Sequence, residues 1–157
     1  MRRLKNFIGL KLMSFFIRLN FRLITMCNER IFEYPWVLTR CKAVRGDKIG
    51  DFGCKGSMLV PYLSSLGFQV YGVDLAEGLD FSSHFLDNYK DFKFVKSDIR
   101  KMPFPDSFFD VSFSISTLEH IFSDDNSCED NIALQEIVRV TKSGGRILLS
   151  FRTEAAM

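Results

Sequence analysis

From residue 47 onward, apolar runs of strand length alternate with segments of helical period, and that alternation leaves few folds open. DKIGDF reads as a strand, SMLVPYLSSL as a helix stopped by Gly67, and FQVYGVD as a second strand, together one βαβ unit. A helix around Phe81 to Asn88 follows, then a strand FKFV at 92–95 and a polar, proline-marked loop, KSDIRKMPFPDSF. Next come a strand DVSFSIS at 110–116, a helix DNIALQEIVRVT at about 130–141, the turn KSGG and a strand RILLSF at 146–151. Parallel neighbours need crossover connections, and crossovers are right-handed. Five strands joined this way predict a doubly wound α/β fold, a mostly parallel sheet covered by helices on both faces.

At 157 residues the chain holds one domain with a sizeable core and not two. Its 17 phenylalanines predict a core built heavily on aromatic packing. Charge is uneven. Residues 1–26 carry six basic side chains (Arg2, Arg3, Lys5, Lys11, Arg18, Arg22) and no acidic one, so the body of the chain is net acidic although the whole is +2. An acidic body argues against nucleic-acid binding, which wants a basic face on the folded domain. The first segment, MRRLKNFIGLKLMSFFIRLNFRLITM, reads as an amphipathic helix whose charges are too frequent for a membrane span or a signal-peptide core. Two readings fit it: a helix packed on the domain or a partner, and a basic helix on an anionic membrane surface. The expected organisation is a basic helix over 1–28 followed by one domain over 29–157.

Cys27, Cys41, Cys54 and Cys128 form no CxxC and pair with neither histidine at zinc-ligand spacing. A reducing compartment, the cytoplasm, and no metal site are expected. Cys54 lies inside a glycine-rich turn with no flanking histidine, so it reads as a small residue that fits rather than a nucleophile.

That turn, DFGCKGS, follows the first strand of the βαβ unit, where ligands bind at the carboxyl ends of the strands. Gly53 permits the tight bend and Gly56 a close backbone approach. Asp74 ends the second strand, where a carboxylate accepts from ribose hydroxyls; capping a helix is the plainer role for an Asp there. A GxGxxG fingerprint set on Gly53 would need glycines where Lys55 and Met58 stand, which excludes a hydride-cofactor site.

Taken in order, NERIFEYPWVL, DFGCKGSMLVPYLSSLGFQVYGVDL, SDIRKMPFPDSFFDVSFSISTLEHI and EIVRVTKSGGRILLSF resemble the class I S-adenosylmethionine-dependent methyltransferases from about Glu29 to Phe151. The resemblance implies a Rossmann-like sheet of order 3-2-1-4-5 and S-adenosyl-L-methionine as cofactor. It implies that Gly53 and Gly56, with neighbouring amides, face the methionine part of the cofactor, and that Asp51, Cys54 and Lys55 are among the cofactor-binding residues. Asp74 would hold the ribose with Leu75 beside it, and Asp98 would accept from the adenine amino group with Ile99 on the ring. Ser116 and the rest of STLEH would line the cleft beside the transferable methyl, with His120 or Glu119 within reach as a base for a hydroxyl acceptor. A structural hydrogen-bonding role for His120 and a turn-capping role for Asp98 stand as alternatives.

Three residues of the first motif depart from the family pattern. Gly50 stands where a large aliphatic is usual and is expected to remove core volume. Lys55 replaces the middle glycine, and either pairs with the cofactor carboxylate or closes the approach that glycine leaves open. Ser57 replaces the third and is expected to cap the next helix. The family also continues past the fifth strand, whereas here TEAAM follows RILLSF closely. The fifth strand is therefore expected as an apolar edge, either covered by a protein partner or by the N-terminal helix or belonging to a shortened gene product. Two functions follow: methyl transfer to an unidentified acceptor, or a degenerate binding module that acts through association or membrane contact.

Overall fold

The computed structural model describes residues 30–76, 92–121 and 128–151. The chain divides into two compact units, one ending at Lys42 and the other beginning at Ala43. In the first, helix α1 spans Arg30–Cys41 with Pro35 inside it, and Tyr34, Val37 and Cys41 are buried. The expected helices over 1–28 and around Phe81 to Asn88 lie outside the described residues.

The second unit contains β1 (Lys48–Phe52), α2 (Leu59–Ser65), β2 (Gln69–Asp74), β3 (Phe92–Lys96), β4 (Phe109–Ile115), a 3₁₀ turn (Leu118–His120), α3 (Glu129–Val140) and β5 (Thr141–Ser150). The five strands form one sheet of order β3-β2-β1-β4-β5, parallel at every pairing. This is the Rossmann-like order that the family resemblance implies. The register pairs Phe52 with Val73 and Asp74 with Lys96, so β1, β2 and β3 end together at one edge of the sheet. Among the described residues no helix is long and apolar enough to cross a membrane.

β1, β2 and β4 are inside the sheet and buried on both faces, which is why KIGDF, QVYGVD and FDVSFSI read as nearly unbroken apolar runs. The buried polar residues of β4 are small and satisfied. Ser112 Oγ lies 2.7 Å from Thr141 Oγ1, and Ser114 Oγ donates to the Phe52 carbonyl at 2.9 Å. On one face, Phe52, Tyr71 and Phe109 pack with Ala133, Ile137 and Val140, which recur at helical spacing along α3. Tyr71 meets Phe104, Phe108 and Phe109 edge to face at centroid distances of 5.3–5.8 Å.

This packing corrects the expectation for Gly50. A Cβ there would lie 2.6 Å from Phe52 Cζ, so the Phe52 ring already fills the space that an aliphatic side chain would occupy. β5 also differs from its expected start at 146. Phe109 pairs with Thr141 and Val111 with Arg146, so KSGG bulges out of a strand that has already begun, with Gly144 at φ +77°.

The proline-marked loop between β3 and β4 is held by α3. Met102 N donates to Glu136 Oε1 at 2.6 Å, and Arg139 donates to the carbonyls of Phe104 at 2.9 Å and Met102 at 3.2 Å. The same guanidinium pairs with Asp106 and Glu136 at 2.6 Å each. Arg139's hydrogen bonds hold the Glu136 carboxyl below its usual range, against the opposing effect of burial.

Two outcomes are expected. Gly50→Val overpacks the Phe52–Phe109 contact and lowers unfolding free energy by about 1–3 kcal/mol, read from a urea titration. Because Glu136 titrates low in the folded protein, its stabilising contribution is complete above the ordinary value of 4.5 and disappears as pH falls through the lowered one. The stability gap between the wild type and Glu136→Gln is therefore flat above pH 4.5 and narrows below it.

Candidate functional site

Where β1 ends, the chain reverses at Gly53, whose φ is +82°. Gly53 N and Cys54 N both donate to the Val73 carbonyl, at 2.8 and 3.2 Å, and Ser57 N closes the turn on the Cys54 carbonyl at 2.8 Å. A Cβ on Gly53 would stand 2.2 Å from Thr117 Cγ2, so Thr117 is seated in the space that glycine leaves. Glycine is required twice over, by the left-handed backbone and by this neighbour.

Beneath the turn, Ser57 Oγ donates to the buried Asp51 Oδ2 at 2.5 Å. Ser57 therefore does not cap α2, whose N-cap is Met58, because its hydroxyl is turned back into the core. Cys54 is fully buried with its sulfur against Gly72, where a Cβ would come within 2.7 Å. Burial, then the charges of Asp51 and Asp74, push its thiol well above the usual range, so no thiolate is available for chemistry.

Asp74 accepts on both carboxylate oxygens, from Lys55 N at 2.9 Å on Oδ2 and from Ala76 N at 2.9 Å on Oδ1. Lys55 thus contributes its backbone amide, while its side chain is exposed. After β3, Asp98 forms an Asx-type turn in which Arg100 N donates to Oδ1 at 2.9 Å. The Arg100 side chain returns to the same carboxylate through Nε, 3.0 Å from each oxygen, and Nη2, 2.5 Å from Oδ2. Nη1 reaches Glu129 Oε2, at the start of α3, at 2.6 Å. Arg100's hydrogen bonding holds the Asp98 carboxyl below its usual range despite partial burial.

A cleft of about 290 Å³ opens between these groups. Gly53, Asp74 and Leu75 form one wall, Asp98, Ile99 and Arg100 another, and Thr117, His120 and Ile121 the third. His120 is exposed at the end of the 3₁₀ turn, its amide bonded to the Thr117 carbonyl at 2.9 Å. A larger hollow of about 420 Å³ lies beside the first residues of β5, among Asp106, Ser107, Arg139 and Lys142. Its two cations are committed to neighbouring carboxylates, Arg139 to Asp106 and Glu136, Lys142 to Asp110. The smaller cleft sits at the carboxyl ends of the strands, the position where doubly wound sheets bind ligands. Among the described residues no cluster of His, Cys, Asp and Glu is arranged to hold a metal ion.

Of the residues singled out from sequence, Gly53, Asp74, Leu75, Asp98, Ile99 and His120 are brought together on this cleft. Asp51 and Cys54 lie behind the turn in the core, and Lys55 and Gly56 are exposed beyond the lining. Ser116, at φ +47°, is drawn toward β5, its amide bonded to Ser150 O at 3.2 Å and Ser150 Oγ at 3.1 Å. Glu119 is likewise absent from the wall. Sequence reasoning missed Arg100 and Ile121 and did not single out Thr117 within STLEH. The two-residue spacing of Asp98 and Arg100 was a usable signal, since an Asx turn folds residue i+2 back over the carboxylate.

A family model described as a methyltransferase domain matches residues 50–149. The malonyl-[acyl-carrier protein] O-methyltransferase of Erwinia pyrifoliae is 28% identical over 131 residues, covering 83% of this chain and 45% of its own. The protein of the same description from Yersinia pestis is 32% identical over 111 residues, covering 68% and 37%. The chain thus spans less than half the length of these relatives. Among solved structures, a TehB-like SAM-dependent methyltransferase from Corynebacterium glutamicum superposes with a TM-score of 0.62 at 23% identity, over 88% of this chain and 72% of that one. The [4+2]-cyclase SpnF superposes at 0.60 with 21% identity, over 72% and 42%. Both likenesses concern the fold.

The burial pattern predicts that iodoacetamide labels the exposed Cys128 in the folded protein at neutral pH and leaves Cys54 untouched until denaturant is added. Peptide mass spectrometry with and without guanidinium reads the difference.

Proposed function

The chain belongs to the methyltransferase-domain family, and from that premise we propose that it moves a methyl group from S-adenosylmethionine to an acceptor. One observation carries the reading: Asp74 and Asp98, at the ends of successive parallel strands, line a single cleft with Gly53, and the Lys55 side chain is not among its walls.

The residues present fit an adenosyl amino acid. Each Asp74 oxygen accepts one backbone N–H and keeps a lone pair, as two ribose hydroxyls require. Leu75, 64% exposed, and Ile99 offer apolar surface to a base, and Gly53 brings bare backbone to the wall. In this reading Asp74 holds the ribose, Asp98 and Ile99 receive the adenine, and the turn from Gly53 to Gly56 receives the amino-acid end.

When bound, the cofactor supplies an electrophilic methyl group on sulfur, and the protein's part is to align the acceptor and exclude water. In this reading His120, on the cleft wall, would take the proton from a hydroxyl acceptor. The relatives named for a malonyl group on an acyl carrier protein make a carboxylic acid the first acceptor to test. An ionised carboxylate needs no base, and with such an acceptor His120→Ala would retain activity.

A second reading, binding without methyl transfer, is supported by two observations. The folds that superpose on this chain include a cyclase, and Arg100 occupies the Asp98 carboxylate.

Isothermal titration with S-adenosylhomocysteine is expected to show saturable binding, weakened about tenfold or more by Asp74→Ala. Absence of heat and of any thermal shift at millimolar ligand would remove the methyltransferase reading. Saturable binding without transfer of labelled methyl to carboxylic-acid or hydroxyl acceptors would favour the second.

A further inference from the structure

Asp98 is held more than a turn requires. The bond from Arg100 N to Oδ1 at 2.9 Å already fixes the carboxylate, and it belongs to the backbone. Onto this the guanidinium adds three contacts, Nε to both oxygens at 3.0 Å and Nη2 to Oδ2 at 2.5 Å. Two carboxylate oxygens present about four lone-pair positions, and three N–H groups of Arg100 make four contacts with them, the Nε–H being shared between both oxygens. A neutral N–H donor entering the cleft therefore meets an occupied acceptor.

The same side chain has somewhere else to go and something else to offer. Nη1 is bound to Glu129 at 2.6 Å, so the guanidinium keeps an ionic partner on α3 if it releases Asp98. A guanidinium carries five N–H groups. Its bonds to Asp98 and Glu129 use three of them, leaving N–H donors on a residue that lines the cleft.

We propose that Arg100 is a specificity-determining residue that competes with the purine base for Asp98, lowering affinity for an amino-bearing base and tolerating a keto-bearing one. This rests on reading the cleft as an adenosyl site. An adenine amino group must displace one charge-assisted bond before Asp98 accepts from it. A hypoxanthine keto oxygen, by contrast, accepts from the spare guanidinium N–H groups and leaves the Asp98–Arg100 pair intact. Removing the side chain leaves the backbone bond to orient Asp98 and exposes a bare carboxylate, which favours the amino group and repels the keto oxygen.

The test is calorimetric titration of the full chain and its Arg100→Ala and Arg100→Met variants with S-adenosylhomocysteine and with its deaminated analogue, S-inosylhomocysteine. Methionine keeps an unbranched stem of similar length without charge, so a folding loss in the alanine variant does not remove the measurement. Both variants are expected to bind the adenosyl ligand roughly fivefold more tightly than wild type, a range set by partly exposed ion pairs. They should bind the inosyl ligand more weakly, so that discrimination between the two widens. Variants that are folded by circular dichroism and bind the adenosyl ligand equally or less tightly overturn the competition. Folded wild type and variants that bind neither ligand overturn the adenosyl reading of the cleft, and this inference with it.

Discussion

The carbonyl of Val73 accepts from both Gly53 and Cys54, and that shared acceptor fixes where β1 stops relative to β2. Everything on the near side of the cleft follows from it. With the two amides tied to one oxygen the chain must bend at once, and the bend needs the positive φ of Gly53. The bend delivers Lys55 N to Asp74, so the carboxylate ending β2 is oriented by the turn ending β1. Asp51 and Ser57 lock the same turn from within the core, where a 2.5 Å bond between buried groups has little competition from water. Parallel pairing is thus more than scaffolding here, because it is what brings two strand ends and one loop to a common wall.

The alternation of apolar and helical runs was enough to read the layer architecture, and the order of the strands followed from the family resemblance. Both depend on periodicity and motif order, which a single sequence displays. The departures arise where a contact depends on side-chain placement that periodicity does not display. Gly50 reads as a missing aliphatic until the Phe52 ring is seen lying over it, two residues along the same face. Ser57 reads as a helix cap until Asp51 is found beneath it. β5 starts five residues early because Phe109 finds Thr141 as a partner before the ladder resumes at Arg146, a pairing that no local pattern announces. Within the site, the acidic residues at strand ends were legible from position and Thr117 from its place in STLEH, whereas its seat in the space vacated by Gly53, 64 residues away, was not.

Chemistry and fold carry different weights in this molecule. A Rossmann-like sheet is compatible with many reactions, and the superposable structures include one described as a cyclase. The methyltransferase reading therefore leans on the family match and on which groups share the cleft. Two carboxylates, a bare backbone turn and the apolar side chains of Leu75 and Ile99 suit a nucleoside with a zwitterionic tail. The buried Cys54, its thiol pushed up by burial, offers no thiolate for covalent chemistry.

α3 touches the proline-marked loop at two levels. Glu129 in its first turn holds Arg100, and Glu136 with Arg139 in its later turns holds Met102, Phe104 and Asp106. Ten residues of helix separate Glu129 from Arg139, a rise of about 15 Å. The helix therefore acts as a ruler laid along the loop. A residue added to or taken from KSDIRKMPFPD would put one end out of step with the other, so the length of this irregular segment is constrained along with the Arg100 and Asp106 side chains that tie it down.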